Sequence, residues 1–188
     1  MRQRARTLVW ALGLVIAIGG ARLRGQEAMK GQHVKVPANA PRPQDVGSID
    51  GIVKAYYEVI TGPPGRPREW SRDRTLYIPD LRFVAAGVDR AGKPSVRVMS
   101  HQQFVDASDA KMVREGFDER EIHRVTQRFG NIAHVFSTYE TRVKTGGPVT
   151  GRGINSIELF WDGGRWWIAS AIWDEERPGN AIPKEYLP

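Results

Sequence analysis

Two glycine-centred turns constrain this chain more than any other feature of it. Gly130-Asn131 separates the runs 121–129 and 132–143, both rich in β-branched and aromatic residues. Asp162-Gly163-Gly164 separates 153–161 from 166–174 in the same way. Short glycine loops between such runs join antiparallel strands. The loops also set the register, opposing Phe129 to Ile132 and Phe160 to Trp167. In the first hairpin, Ile122, Arg124, Thr126, Ala133, Val135, Ser137 and Tyr139 then share a face. In the second, Asn155, Ile157, Leu159, Trp161, Trp166, Ile168, Ser170, Ile172 and Asp174 do. These sets read as the wall that faces helices. The opposite faces keep Phe136, Phe160, Trp167 and Trp173, which is too apolar for a solvated sheet surface. A second copy of the chain, docked sheet to sheet, is the expected cover. A β-bulge would exchange the two faces for every residue beyond it.

The first half of the chain supplies helices. Ile49, Ile52, Val53, Tyr56 and Ile60 fall on one helical stripe, with Ser48 as cap and Gly62-Pro63-Pro64 as stop. A second helix is expected to start at Arg66–Arg72, to bury Trp70, Leu76 and Tyr77, and to be ended by Pro79-Asp80. Leu81 to Val88 and Val96 to Met99 read as strands. Ser100 and Gln103 stand at capping-box spacing and open a third helix, to about Arg114. Helices followed by a long antiparallel meander make an α+β fold.

Charge points first toward nucleic acid and then away from it. The chain has 188 residues, no cysteine, and 28 Lys+Arg against 21 Asp+Glu, a net charge of +7. Yet Arg2, Arg4, Arg6, Arg22 and Arg24 flank one apolar run, Leu8 to Ile18, which ends in Gly19-Gly20-Ala21. That is the pattern of a secretory signal peptide, and the run is short of the roughly 20 residues of a membrane span. Cleavage after Gly25 removes those five arginines and takes +7 to +2. The expected product is a secreted or periplasmic protein with no stable membrane span. It has no Lys/Arg stripe with interleaved aromatics, so nucleic acid is not an expected partner. Residues 26–46 hold Pro37, Pro41 and Pro43 and read as a flexible tether. The domain is expected over 47–176, with 177–188 as a tail.

Several motifs then align with a known superfamily. They are Tyr77-Ile78-Pro79-Asp80, the run Phe129-Gly130-Asn131-Ile132-Ala133-His134-Val135-Phe136, Arg152-Gly153-Ile154-Asn155-Ser156, and Gly164-Arg165-Trp166-Trp167-Ile168. In this order the chain resembles the nuclear-transport-factor-2-like superfamily, the cone fold of SnoaL-type cyclases and ketosteroid isomerase. The similarity covers about residues 46–176. It implies a curved sheet wrapped around the first helix and a pocket open at one end. It does not imply one activity, because this fold hosts isomerases, dehydratases, cyclases and binding modules.

An isomerase-like site needs a carboxylate base and a phenol or acid facing a carbonyl. The base position that the resemblance implies on the first strand falls at Ala85. Asp174, at the open end of the last strand, and Asp80 are the remaining candidate bases. Tyr56, Trp70, Phe83, Tyr139, Asn155 and Ser170 are the candidate ligand contacts. The expected ligand is a small, largely apolar molecule, with no cofactor. A cofactor-independent isomerase, dehydratase or cyclase is the alternative, and a module that binds proteins through its sheet face is a third. His123 and His134 sit four residues apart along the ladder, roughly 13 Å at strand rise, so no metal site is expected.

Overall fold

The computed structural model describes residues 33–188. The signal-peptide reading of 1–25 lies outside them. Four α-helices, α1 (Pro43–Val46), α2 (Ile49–Glu58), α3 (Trp70–Asp73) and α4 (His101–Glu115), accompany six strands. The strands are β1 (Tyr77–Val88), β2 (Pro94–Met99), β3 (Asp118–Phe129), β4 (Ile132–Arg142), β5 (Gly151–Trp161) and β6 (Trp166–Glu175). They form one sheet in the order β2-β1-β6-β5-β4-β3. All neighbours are antiparallel except β1 and β6, which run parallel. The consecutive strands β3 to β6 are the meander, and both turn registers are as expected, Phe129 opposite Ile132 and Phe160 opposite Trp167.

Local chemistry explains the two long helices. Ser48 Oγ accepts from the Gly51 amide at 2.9 Å and starts α2. The helix then buries Ile52, Val53, Ala55, Tyr56 and Tyr57 against the sheet. Ser100 and Gln103 form a complete capping box on α4, each side chain satisfying the other's free backbone amide. The expected second helix is much shorter. It is reduced to α3 and a 3₁₀ turn, Arg74–Leu76, and Tyr77 already begins β1. Pro79 and Asp80 do not end a helix. They lie exposed in the interrupted start of β1, where its register against β6 shifts between Tyr77 and Arg82. Proline is tolerated there because no ladder hydrogen bond is asked of it.

The described part of the expected tether and the C-terminal tail are both docked. From residue 33 the proline-bearing stretch packs along α4. The Val34 amide donates to Asp106 at 2.9 Å, and Gln102 donates to the Val34 carbonyl at 2.8 Å. Val34 and Val36 pack against the core, and Val46 is buried. At the other end, the C-terminal stretch crosses the outer face of the sheet. Ile182 is buried, Tyr186 stacks edge-on against Phe136 at 4.9 Å, and Thr138 Oγ1 donates to the Tyr186 carbonyl at 2.6 Å. Part of the outer face's apolar surface is therefore covered by the chain itself.

Candidate functional site

Between α2, α4 and the inner face of the sheet lies a cavity. Its wall is aromatic, with Tyr56, Tyr77, Phe83, Phe104, Tyr139 and Trp173 among the lining side chains. It leaves about 60 Å³ for the centres of water-sized molecules, room for several waters or one small organic molecule. Two acids line it, Glu119 and Glu175. Neither was a candidate on sequence grounds, and two β-bulges explain why.

The pairing of β3 with β4 shifts by one residue between Glu121 and His123, leaving Ile122 unpaired. Residues before the shift change face. Glu119 and Glu121 then oppose Thr141 and Tyr139 on the inner side. The pairing of β5 with β6 shifts in the same way. Leu159 opposes Ile168 and Glu158 opposes Ser170, so Ala169 is the extra residue. Beyond it, Trp173 opposes Asn155 and Glu175 opposes Gly153, while Asp174 opposes Ile154. Each bulge thus turns one glutamate into the cavity, and the second turns Asp174 out of it.

The expected contacts divide accordingly. Tyr56, Phe83, Tyr139 and Asn155 meet at the cavity. Trp70 is buried behind it, with its indole N–H donating to Asp109 at 2.6 Å and its ring against Phe104. Ser170 and Asp174 are on the outer face, where Asp174 is bound by the Arg177 guanidinium at 2.5 and 3.1 Å. The expectation that Asp174 shares a face with Asn155 is corrected by the Ala169 bulge. Asp80 is exposed on β1 and does not line the cavity.

A hydrogen-bonded chain runs through the cavity floor. The Tyr56 hydroxyl donates to Asn155 Oδ1 at 3.3 Å, and Asn155 Nδ2 donates to the Tyr57 oxygen at 3.1 Å. Tyr57 in turn meets Ser137 Oγ at 2.7 Å, and Ser137 donates to Glu121 at 2.5 Å. Part of the Glu119 surface is uncovered because it forms cavity wall, but its carboxyl is removed from bulk water. That removal, with the Glu175 charge second, pushes it up to about 8. Burial also raises the Glu175 carboxyl, and Asp174 beside it adds to the rise. The Tyr56, Tyr57 and Tyr139 phenols go up, burial first and the Glu119 charge next. All three therefore stay protonated hydrogen-bond donors at any pH the fold meets.

Behind Tyr77 sits a second polar group that the sequence did not flag. Asp73 and His101 are both buried. His101 Nε2 lies 2.8 Å from Asp73 Oδ2, and the Tyr77 hydroxyl donates to Asp73 Oδ1 at 2.8 Å. The arrangement fixes the Tyr77 ring, which packs on His101 and Phe83. Among the described residues no group of three or more His, Cys, Asp or Glu is placed to hold a metal ion.

Gly153 makes the floor possible. A Cβ there would stand 2.4 Å from the Tyr139 hydroxyl oxygen and 2.5 Å from the Asp174 carbonyl. Gly153→Ala must displace the Tyr139 ring or the β6 backbone. We expect a loss of about 1–3 kcal/mol in urea unfolding, as for other overpacked sites. An unchanged midpoint would mean that the floor is looser than this geometry.

No protein-family model matches the chain, and no curated protein matches it. Solved structures do. A cystatin-like protein of unknown function from Nostoc punctiforme superimposes with a TM-score of 0.51 at 8% identity, over 68% of this chain and 88% of that one. A candidate β subunit of an aromatic-ring-hydroxylating dioxygenase from Novosphingobium aromaticivorans gives 0.52 at 14%, over 70% and 88%. The fold is nuclear-transport-factor-2-like. The hexachlorocyclohexane dehydrochlorinase LinA-type3 of Novosphingobium barchaimii has the same cone, at a TM-score of 0.50 and 7% identity, over 70% and 86%. At these identities the shared property is the fold. In this chain the concave side of the cone holds the cavity, with Glu119 on its wall.

Proposed function

We propose that this nuclear-transport-factor-2-like protein binds a small, largely apolar molecule in its cone. The observation behind this is the make-up of the cavity, an aromatic wall with a few convergent polar groups, Tyr56, Tyr139, Asn155 and Glu119. A second reading has its own support. A carboxyl pushed up to about 8 takes and returns a proton near neutral pH, beside phenols that donate to a developing oxyanion. On that reading the protein is an isomerase, dehydratase or cyclase, and Glu119 is the base in place of Asp174 and Asp80. The dehydrochlorinase neighbour supports it only in that an enzyme named for a small apolar compound, hexachlorocyclohexane, shares the fold.

The export pattern of residues 1–25 supports a secreted or periplasmic location. Pairing of two copies through the outer sheet face is supported by Val98, Val84 and Ile172. They form one row across β2, β1 and β6, and Val98 and Ile172 stay 47% and 42% exposed beside the C-terminal stretch. Native mass spectrometry of protein purified from its own host tests both claims together. The expected result is a dimer that releases an organic molecule on activation. A ligand-free monomer would count against both.

A further inference from the structure

We propose that the ligand of this cavity is an organic cation, a small amine or quaternary ammonium with an aromatic or aliphatic body. The proposal rests on the reading that the cavity holds a ligand, and it names the ligand's charge. Its head would lie between Glu119 and Glu175, and its body against the rings.

The charges on the cavity wall do not balance. Glu119 and Glu175 are the acids there, and among the described residues neither is in an ion pair. The one basic residue on the wall is Arg152, at the rim, and its guanidinium is already bound by Glu176 at 2.9 Å. Buried carboxyls without a counter-ion are costly when ionised. Once these acids ionise, an anion would add a further negative charge to the site, and a neutral molecule would leave them protonated. A cation supplies what the protein does not.

The rings point the same way. Tyr77, Phe83, Phe104 and Trp173 pack edge to face or tilted on one another. All four line the cavity, so a ligand there is surrounded by aromatic rings. Aromatic faces attract ammonium groups, the more strongly when water is excluded. Quaternary ammonium heads are weakly hydrated and lose little by entering such a site, and a phenol cluster beside two acids completes it.

A pH signature follows. In the empty cavity Glu119 holds a proton up to about pH 8. A cation binds best to the ionised acid, so binding releases that proton. The groups that face Glu119 do not mask this. The phenols of Tyr56 and Tyr57 on α2, Tyr77 on β1 and Tyr139 on β4 all titrate higher still. On β6 Glu175 is raised in the same direction as Glu119, and the charges that lower it are Arg177 and Lys111. Glu121, next but one on β3, faces Ser137 and is held by Arg124, and Arg152 on β5 is held by Glu176.

The test uses three probes of one shape: benzyltrimethylammonium, its carbon isostere neopentylbenzene, and phenylmethanesulfonate. Binding is read by quenching of tryptophan fluorescence and by ligand-observed NMR. At pH 8 the cation should bind at least ten times more tightly than the isostere, and the anion should not bind. Cation affinity should rise about tenfold per pH unit from 6 to 8 and then level off, while isostere affinity stays flat. The double variant Glu119→Gln, Glu175→Gln should lose the preference for the cation and keep the isostere, which also shows that it folds. Equal binding of cation and isostere, or a preference that survives in the double variant, overturns the inference and leaves the apolar-ligand reading standing. Binding of none of the three overturns both.

Discussion

Glu119→Gln makes the protein more stable than its parent at pH 9 and no more stable at pH 5. Glutamine is close in shape to a protonated glutamate and cannot ionise. In the parent, the Glu119 carboxyl stands at an ordinary 4.5 in the unfolded chain and at about 8 in the fold. Between those values the folded state holds a proton that the unfolded state has lost. Stability therefore falls as pH rises through that window, by up to about 1.4 kcal/mol per unit. Below about 4.5 there is no difference to lose, and above about 8 the loss is complete. Glu175 is raised in the same direction, so the variant keeps a shallower slope of its own. The gain at pH 9 should reach several kcal/mol, at about 2–4 °C of thermal midpoint for each. Thermal scans of parent and variant at pH 5, 7 and 9 decide it. Parallel curves would mean that Glu119 is solvated and ionised like any surface acid.

The second large effect lies far from the cavity, at Arg72. Its guanidinium binds Asp45 in two bonds of 2.7 and 2.8 Å, Glu58 at 2.8 Å and Glu69 at 2.9 Å. The Asp45 side chain is only 5% exposed and that of Arg72 13%, whereas Glu58 and Glu69 keep 43% and 39%. The bond to Asp45 is the first cause holding the Arg72 guanidinium above its usual range. The two exposed acids contribute little on their own. The buried pair ties α1 to α3, and so holds the N-terminal stretch on the domain. Arg72→Met leaves the Asp45 carboxylate buried without a partner, at a cost of about 3–5 kcal/mol in denaturant unfolding. Adding Asp45→Asn should recover part of that loss, since the stranded charge is then gone. A loss under 1 kcal/mol for Arg72→Met, or no recovery in the double variant, would contradict the role given to the pair.

Features set by neighbours in the chain are legible in the amino-acid sequence. Ser100 and Gln103 announce their capping box by spacing alone, since both partners lie within one turn. Gly130 and Gly163, both at positive φ, mark the hairpin turns, and the turns fix the registers next to them. The α2 stripe gives away its buried face for the same reason. Legibility fails with distance from the turn. Near Ala169 the stretch Ile168-Ala169-Ser170-Ala171 has too little contrast between its faces to announce a bulge. At Ile122 the expected strand begins only at Glu121, so the residue pattern does not place the acid two positions earlier on the sheet. The docking of residues 33–46 is not legible because polar, proline-bearing segments look alike whether they dangle or dock on a surface that exists only after folding.

The sequence by itself determined the α+β class, the order of the elements, the hairpin turns and four cavity residues, Tyr56, Phe83, Tyr139 and Asn155. Only the tertiary structure decided which acids meet them. A side chain's face on a strand depends on whether the count of residues from the turn is odd or even. One unpaired residue reverses that parity, and whether it is unpaired depends on how two paired strands bend within the folded sheet. Two such reversals, at Ile122 and Ala169, brought Glu119 and Glu175 in and sent Asp174 out.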